Sequence, residues 1–164
     1  MQSFCLPPVA DKKSRVLILG SMPGVASLRA QQYYAHPQNA FWPIMGDLVG
    51  ASPALAYPRR LAALKRAGIA LWDVLACCFR EGSLDSAIVG EEVNDLAGFL
   101  AGHPGIARIC FNGAKAAESF ARGIDLATLP RAVTLVRLPS TSPAHAGMNR
   151  ADKLAAWRAV VEGL

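Results

Sequence analysis

Cysteine, histidine and long apolar runs are all scarce in this chain, and each scarcity narrows what it can be. The four cysteines, Cys5, Cys77, Cys78 and Cys110, include an adjacent pair but no CxxC spacing, and His36, His103 and His145 are scattered. Neither a zinc ribbon nor an iron-sulfur site has that ligand pattern, so free thiols, no metal and no cofactor are expected. Lys, Arg, Asp or Glu interrupts every apolar run well short of the roughly 20 residues needed to span a bilayer. Between Met1 and Asp11 no basic segment precedes an apolar stretch, so a signal peptide is not expected and the cytosol is the expected location. Internal repeats and low-complexity tracts are missing too. A length of 164 residues then points to one domain over 1–164, with a real core and no need of disulfides, and to a monomer.

What is present is apolar and basic. Hydrophobic residues make up 52% of the chain, and 17 Lys plus Arg against 12 Asp plus Glu leave a net charge of +5, which is compatible with a polyanionic partner. The basic residues are dispersed, so any surface for nucleic acid must be assembled by folding. Four apolar runs have strand length: 15–20, 69–77, 106–112 and 132–138. Being apolar on both faces, they predict a buried parallel sheet. Val93, Leu96, Ala97, Leu100 and Ala101 follow the spacing of one helix face, and Leu61 and Leu64 mark another helix. Asn149 is the expected N-cap of a last helix carrying Leu154, Trp157, Val160, Val161 and Leu164 along one stripe. Strands alternating with helices imply a three-layer α/β/α sandwich with a mainly parallel four-stranded sheet. Ligands in such folds gather outside the carboxyl ends of the strands, here after Gly20, Val74, Asn112 and Leu138.

Those segments hold the least ordinary residues. Gly20-Ser21-Met22-Pro23-Gly24 is a turn whose glycines let the backbone approach a ligand, and Ser21, Met22 and Gly24 are candidate base contacts. Taken alone, it fits equally a plain strand-to-helix turn or a mononucleotide loop. Gln32 to Trp42 reads QYYAHPQNAFW, and the stretch from Ser21 to Trp42 contains no acidic residue. Phe41 and Trp42 read as core, because Ile44, Met45 and Leu48 continue their stripe.

A Gly-x-x-Pro-Gly turn followed by Ala-His-Pro-x-Asn-x-Phe-Trp resembles the uracil-DNA glycosylase superfamily, in particular its mismatch-specific members. The resemblance implies that Tyr34, directly before Ala35-His36-Pro37, stacks on a base flipped out of the duplex. Related branches carry a water-activating Asn or Glu in the turn, where this chain has Met22 and Ser21. Ser-Met followed by Gln-Tyr-Tyr-Ala-His-Pro is similar to the hypoxanthine-DNA glycosylase branch. Asn39 then becomes the candidate catalytic residue, holding a water beneath the sugar; a helix N-cap is its other reading, and the two roles can coexist. An amide is a poor general base at neutral pH, so leaving-group activation and stabilisation of an oxocarbenium-like sugar should dominate.

Asp73 is the single charge in the second apolar run, in a region that the resemblance associates with the base pocket. An ionised Asp73 would accept from hypoxanthine N1–H and repel the bare N1 of adenine; a structural ion pair or a backbone-binding carboxylate is the other reading. Leu138 to Ala146 resembles the superfamily's second, Ser/Pro-containing DNA-gripping loop, with Leu138 where relatives have His or Asn. Ser140, Thr141, Ser142 and His145 are its candidate phosphate contacts, and His145 reads equally as a surface histidine. Asn112, before Gly113, is a candidate ligand contact or part of an ordinary Asn-Gly turn. The reaction implied is hydrolysis of the N-glycosidic bond of deoxyinosine in damaged DNA, without a cofactor and without a lyase step. Rival expectations are uracil or xanthine as substrate, a mononucleotide-binding module, and a catalytically dead DNA-binding relative.

Overall fold

The computed structural model describes residues 2–164. Four parallel strands, β2 (Val16–Gly20), β3 (Ile69–Asp73), β6 (Arg108–Asn112) and β7 (Thr134–Leu138), form a sheet of order β3-β2-β6-β7. Alternation along β2 explains the layers. Val16 and Ile18 face one core with α2 (Phe41–Val49), α3 (Tyr57–Arg66) and α6 (Arg150–Trp157), where Phe41, Ile44, Leu64 and Trp157 are buried. Leu17 and Leu19 face the other, against α4 (Leu96–Gly102) and α5 (Ala114–Gly123), with Leu96, Leu100, Ala116 and Phe120 buried. The three-layer expectation holds.

Several local expectations are corrected. The apolar run 69–77 is two strands, not one. Its chain leaves the parallel sheet at Val74, and β4 (Leu75–Phe79) joins β1 (Gln2–Phe4) and β5 (Val89–Val93) in a separate antiparallel sheet of order β1-β4-β5. Val93 belongs to β5 rather than to the helix that follows, whose N-cap is Asp95. Strand β7 is an exposed edge instead of a buried strand, with only Leu138 fully covered. The last helix does begin after Asn149, whose side chain accepts from Asp152 N–H at 2.8 Å. It tightens into a 3₁₀ turn at Arg158–Val160, so Leu164 falls off the stripe and is exposed. Among the described residues no helix is long and apolar enough to cross a membrane.

Candidate active site

Because all four central strands run the same way, their carboxyl ends sit side by side, and the segments that follow line one cavity of about 740 Å³. Ser21, Met22, Gly24, Tyr34, Asn39, Asp73, Asn112, Ser140, Thr141, Ser142 and His145 all line it. Residues separated by up to 124 positions in sequence are therefore brought together by topology rather than by local motif.

The parallel register sets Gly20 opposite Asp73. A Cβ at residue 20 would fall 2.6 Å from Asp73 Oδ1 and 3.1 Å from the Tyr34 hydroxyl, so the glycine is what allows a carboxyl and a phenol to meet the first turn. Asp73 is 4% exposed, and its Oδ2 has no hydrogen-bond partner among the described residues. Burial is the main influence on this carboxyl and pushes its pKa up to about 7; Arg80 pulls downward and Asp85 adds to the rise. Near neutral pH Asp73 therefore populates both forms, and the reading expected of an ionised Asp73 applies to one of them. The carbonyl of Asp73 is fixed from behind by Asn94 Nδ2 at 2.8 Å.

Tyr34 adopts a left-handed backbone, φ 54°, which costs a non-glycine residue of order 1 kcal/mol and persists only where its surroundings enforce it. Three contacts do so. Ser27 Oγ accepts from Ala35 N–H at 3.1 Å, Phe41 stacks on the Tyr34 ring at 4.0 Å, and Tyr33 anchors the preceding position by donating its hydroxyl to the Pro7 carbonyl at 2.8 Å. Trp42 Nε1 donates to the Tyr33 carbonyl, so Phe41 and Trp42 are core, as their stripe suggested. Among the described residues the Tyr34 hydroxyl is buried without a well-formed hydrogen bond; burial raises its pKa, against a smaller lowering by the nearby Asn112 amide, and keeps the phenol neutral.

Asn39 lies in the turn just before α2, whose N-cap residue is Ala40 rather than Asn39, and its Oδ1 accepts from Phe41 N–H, the first residue of the helix, at 2.9 Å. Asn39 also lines the cavity.

The Ser/Pro loop is held from beneath. Asn112 Nδ2 donates to Thr141 Oγ1 and Thr141 N–H donates to Asn112 Oδ1, both at 2.9 Å. Asn112 therefore braces the loop, and Thr141, 1% exposed, is anchored to Asn112, while both residues also line the cavity. Thr141 also accepts from Ala40 N–H, tying the two motif loops together. Buried Lys153 donates to the His145 carbonyl at 2.7 Å and Trp157 to the Pro139 carbonyl at 2.9 Å. Ser140, Ser142 and His145 remain on the cavity side, with His145 exposed.

Sequence reasoning missed the segment from Arg80 to Ser86, which folds against the first turn. Buried Arg80 donates to the Pro23 and Ser83 carbonyls, Ser83 Oγ accepts from Val25 N–H, and Ser21 Oγ donates to Asp85 Oδ1 at 2.6 Å. Leu84 is exposed on the rim. A charged, glycine-containing loop carries no signal that distinguishes it from a solvated one. Lys115 also lines the cavity, in an ion pair with Glu91.

A layered α/β sandwich whose cavity opens at the carboxyl ends of its strands, floored by a buried carboxyl and walled by a strained tyrosine, is the frame of a base-excising enzyme. The chain belongs to the uracil DNA glycosylase superfamily, whose family model matches residues 7–162. It is 40% identical over 157 residues to a hypoxanthine DNA glycosylase of Methanosarcina acetivorans, covering 94% of each chain. To a hypoxanthine DNA glycosylase of Methanosarcina barkeri it is 43% identical over 119 residues, 72% of this chain and 75% of that one. A solution NMR structure from Methanosarcina acetivorans, described as a candidate uracil DNA glycosylase, superposes with a TM-score of 0.79 at 38% identity, covering 98% of this chain and 99% of the other.

Proposed function

We propose that this protein is a monofunctional DNA glycosylase that flips deoxyinosine out of the duplex and hydrolyses its N-glycosidic bond, leaving an abasic site and free hypoxanthine. The observation that carries this reading is the buried Asp73 carboxyl, whose Oδ2 has no hydrogen-bond partner among the described residues, together with the likewise unpartnered Tyr34 hydroxyl, both lining the cavity. Buried polar groups without partners are costly unless a ligand completes them, and a purine edge supplies the missing donors and acceptors. Tyr34, backed by Phe41, offers a ring face to the flipped base, a contact worth about 1–3 kcal/mol. Ser21, Met22 and Gly24 border the base, and Asn39 holds water beneath the sugar. Ser140, Ser142 and His145 meet phosphates on the far side. One chain carries every one of these contacts, so a monomer suffices, working in the cytosol where its DNA is reached without a membrane.

The mononucleotide-loop alternative fits the geometry less well. Val25 N–H, at the start of the helix that would receive a phosphate, is already bonded to Ser83 Oγ, and Asp73 and Asp85 present carboxyl groups to the same space. Incubation with duplexes bearing deoxyinosine, deoxyuridine or deoxyxanthosine, followed by alkaline strand cleavage, tests the reading. Cleavage at deoxyinosine ahead of the other two is expected; release of none of the bases would sink it.

Duplex affinity is expected to fall linearly on a log-log scale as salt rises, because phosphate contacts release condensed counterions. Fluorescence anisotropy from about 50 to 200 mM salt measures the slope. A flat response would favour a mononucleotide ligand over DNA.

A further inference from the structure

Resting on the glycosylase reading, we propose that Asp85 accepts the proton of the attacking water, and that Ser21 and Arg80 position its carboxylate. Neither Ser21 nor Met22 is a base, and Asn39 carries an amide whose oxygen already accepts from Phe41 N–H. Asp85 enters the same cavity wall from a different loop. Its Oδ1 accepts the Ser21 hydroxyl at 2.6 Å and lies 3.9 Å from Arg80 Nη1, while its side chain is 45% exposed, so water reaches the carboxylate. Arg80 is itself buried and fixed to the first turn through the Pro23 carbonyl, which ties the carboxylate to the turn that borders the base.

The two carboxyl groups of the cavity thus occupy opposite environments. Asp73 is dry and drawn toward its neutral form, in part by the charge of Asp85; Asp85 is wet and bonded through one oxygen. Such a split assigns donor and acceptor roles to a carboxyl pair. In the step, the water oxygen forms a bond to C1′ and the water proton passes to Asp85. The C1′–N9 bond breaks with its electron pair going to the purine, which takes up a proton from solvent and leaves as neutral hypoxanthine, while Asp85 returns the water proton to solvent and is a carboxylate again. The overall change is addition of water across the glycosidic bond, with no other reactant.

Asp85→Asn separates catalysis from positioning, because the amide oxygen still accepts from Ser21 but cannot take a proton. Single-turnover release of hypoxanthine from a deoxyinosine duplex is expected to fall about 100-fold or more, the range of a lost general base. Affinity for a duplex with uncleavable 2′-fluoro-deoxyinosine should stay within about threefold, since the residue acts in the transition state. Asp85→Gly should be partly restored by added formate in a concentration-dependent way, which a positioning residue would not show. A wild-type rate in Asp85→Asn overturns the proposal, as does an Asp85→Gly variant whose lost rate is matched by lost binding and is deaf to formate. Failure of the unmodified protein to release hypoxanthine would instead overturn the glycosylase reading on which the proposal rests.

Discussion

Asp73→Leu is expected to lower single-turnover hypoxanthine release by about 100-fold, while Asp73→Asn keeps most of the rate and loses its pH dependence. A neutral carboxyl presents an O–H and a C=O side by side, matching O6 and N1–H of hypoxanthine with two hydrogen bonds. It also supports the electron pair that the departing base receives, whereas a carboxylate opposes it. With the pKa of Asp73 pushed up to about 7 by burial, the productive form is lost as pH rises through neutrality, so the wild-type rate should fall from pH 6 to pH 8.5. The carboxamide of Asp73→Asn offers the same donor and acceptor at every pH. Equal rates for Asp73→Leu and wild type would leave the residue a purely structural one.

The same carboxyl bears on stability. Its folded pKa lies above its ordinary value, so the folded state binds the extra proton. The stability this contributes is fully present below about pH 4 and lost as pH rises through about 7. Moving the titration from near 4 to about 7 corresponds to up to about 4 kcal/mol at pH 8. Asp73→Asn should consequently melt higher than wild type at pH 8, with the gap narrowing at pH 5.

Much of this frame is readable before folding, and the reason is periodicity. Runs 15–20, 106–112 and 132–138 overlap the observed strands Val16–Gly20, Arg108–Asn112 and Thr134–Leu138 to within two residues; for the first two the reason is that central strands must be apolar, while the third is an edge strand found by its Val and Leu content. The break at Val74 was hidden because β4, LACCF, is as apolar as β3. Its partners β1 and β5 read QSF and VGEEV, with no run of β-branched residues to announce them; they exist as strands through long-range pairing. The site follows the same division. Tyr34 and Asn39 lie inside a local motif and could be picked out from it. Asp85 and Arg80 come from a polar loop, and their approach to Ser21 and Pro23 is a product of tertiary packing alone. Lys153 and Trp157 lie on a helix whose only visible task was to close the fold, yet they carry the Ser/Pro loop. Asn112 was visible, but its bond to Thr141 was not, since the two residues are 29 positions apart.

Asn39→Ala is expected to reduce the chemical step by about 100-fold while changing duplex affinity by less than about threefold, because a group that orients water acts in the transition state and holds little of the DNA. Its structural cost is separate. Asn39 Oδ1 accepts from Phe41 N–H at the first residue of α2, and losing that hydrogen bond costs about 0.5–1.5 kcal/mol. Since Phe41 stacks on Tyr34, a frayed helix start would also loosen the base platform, and Asn39→Ala alone would confound the two effects. Asn39→Ser resolves them, because its hydroxyl accepts from the same N–H but is too short to hold the same water. The expected pattern is wild-type melting with a loss of rate close to that of alanine. If Asn39→Ser restores both melting temperature and single-turnover rate, the bond to Phe41 N–H is the whole role of Asn39 and the water must be held elsewhere.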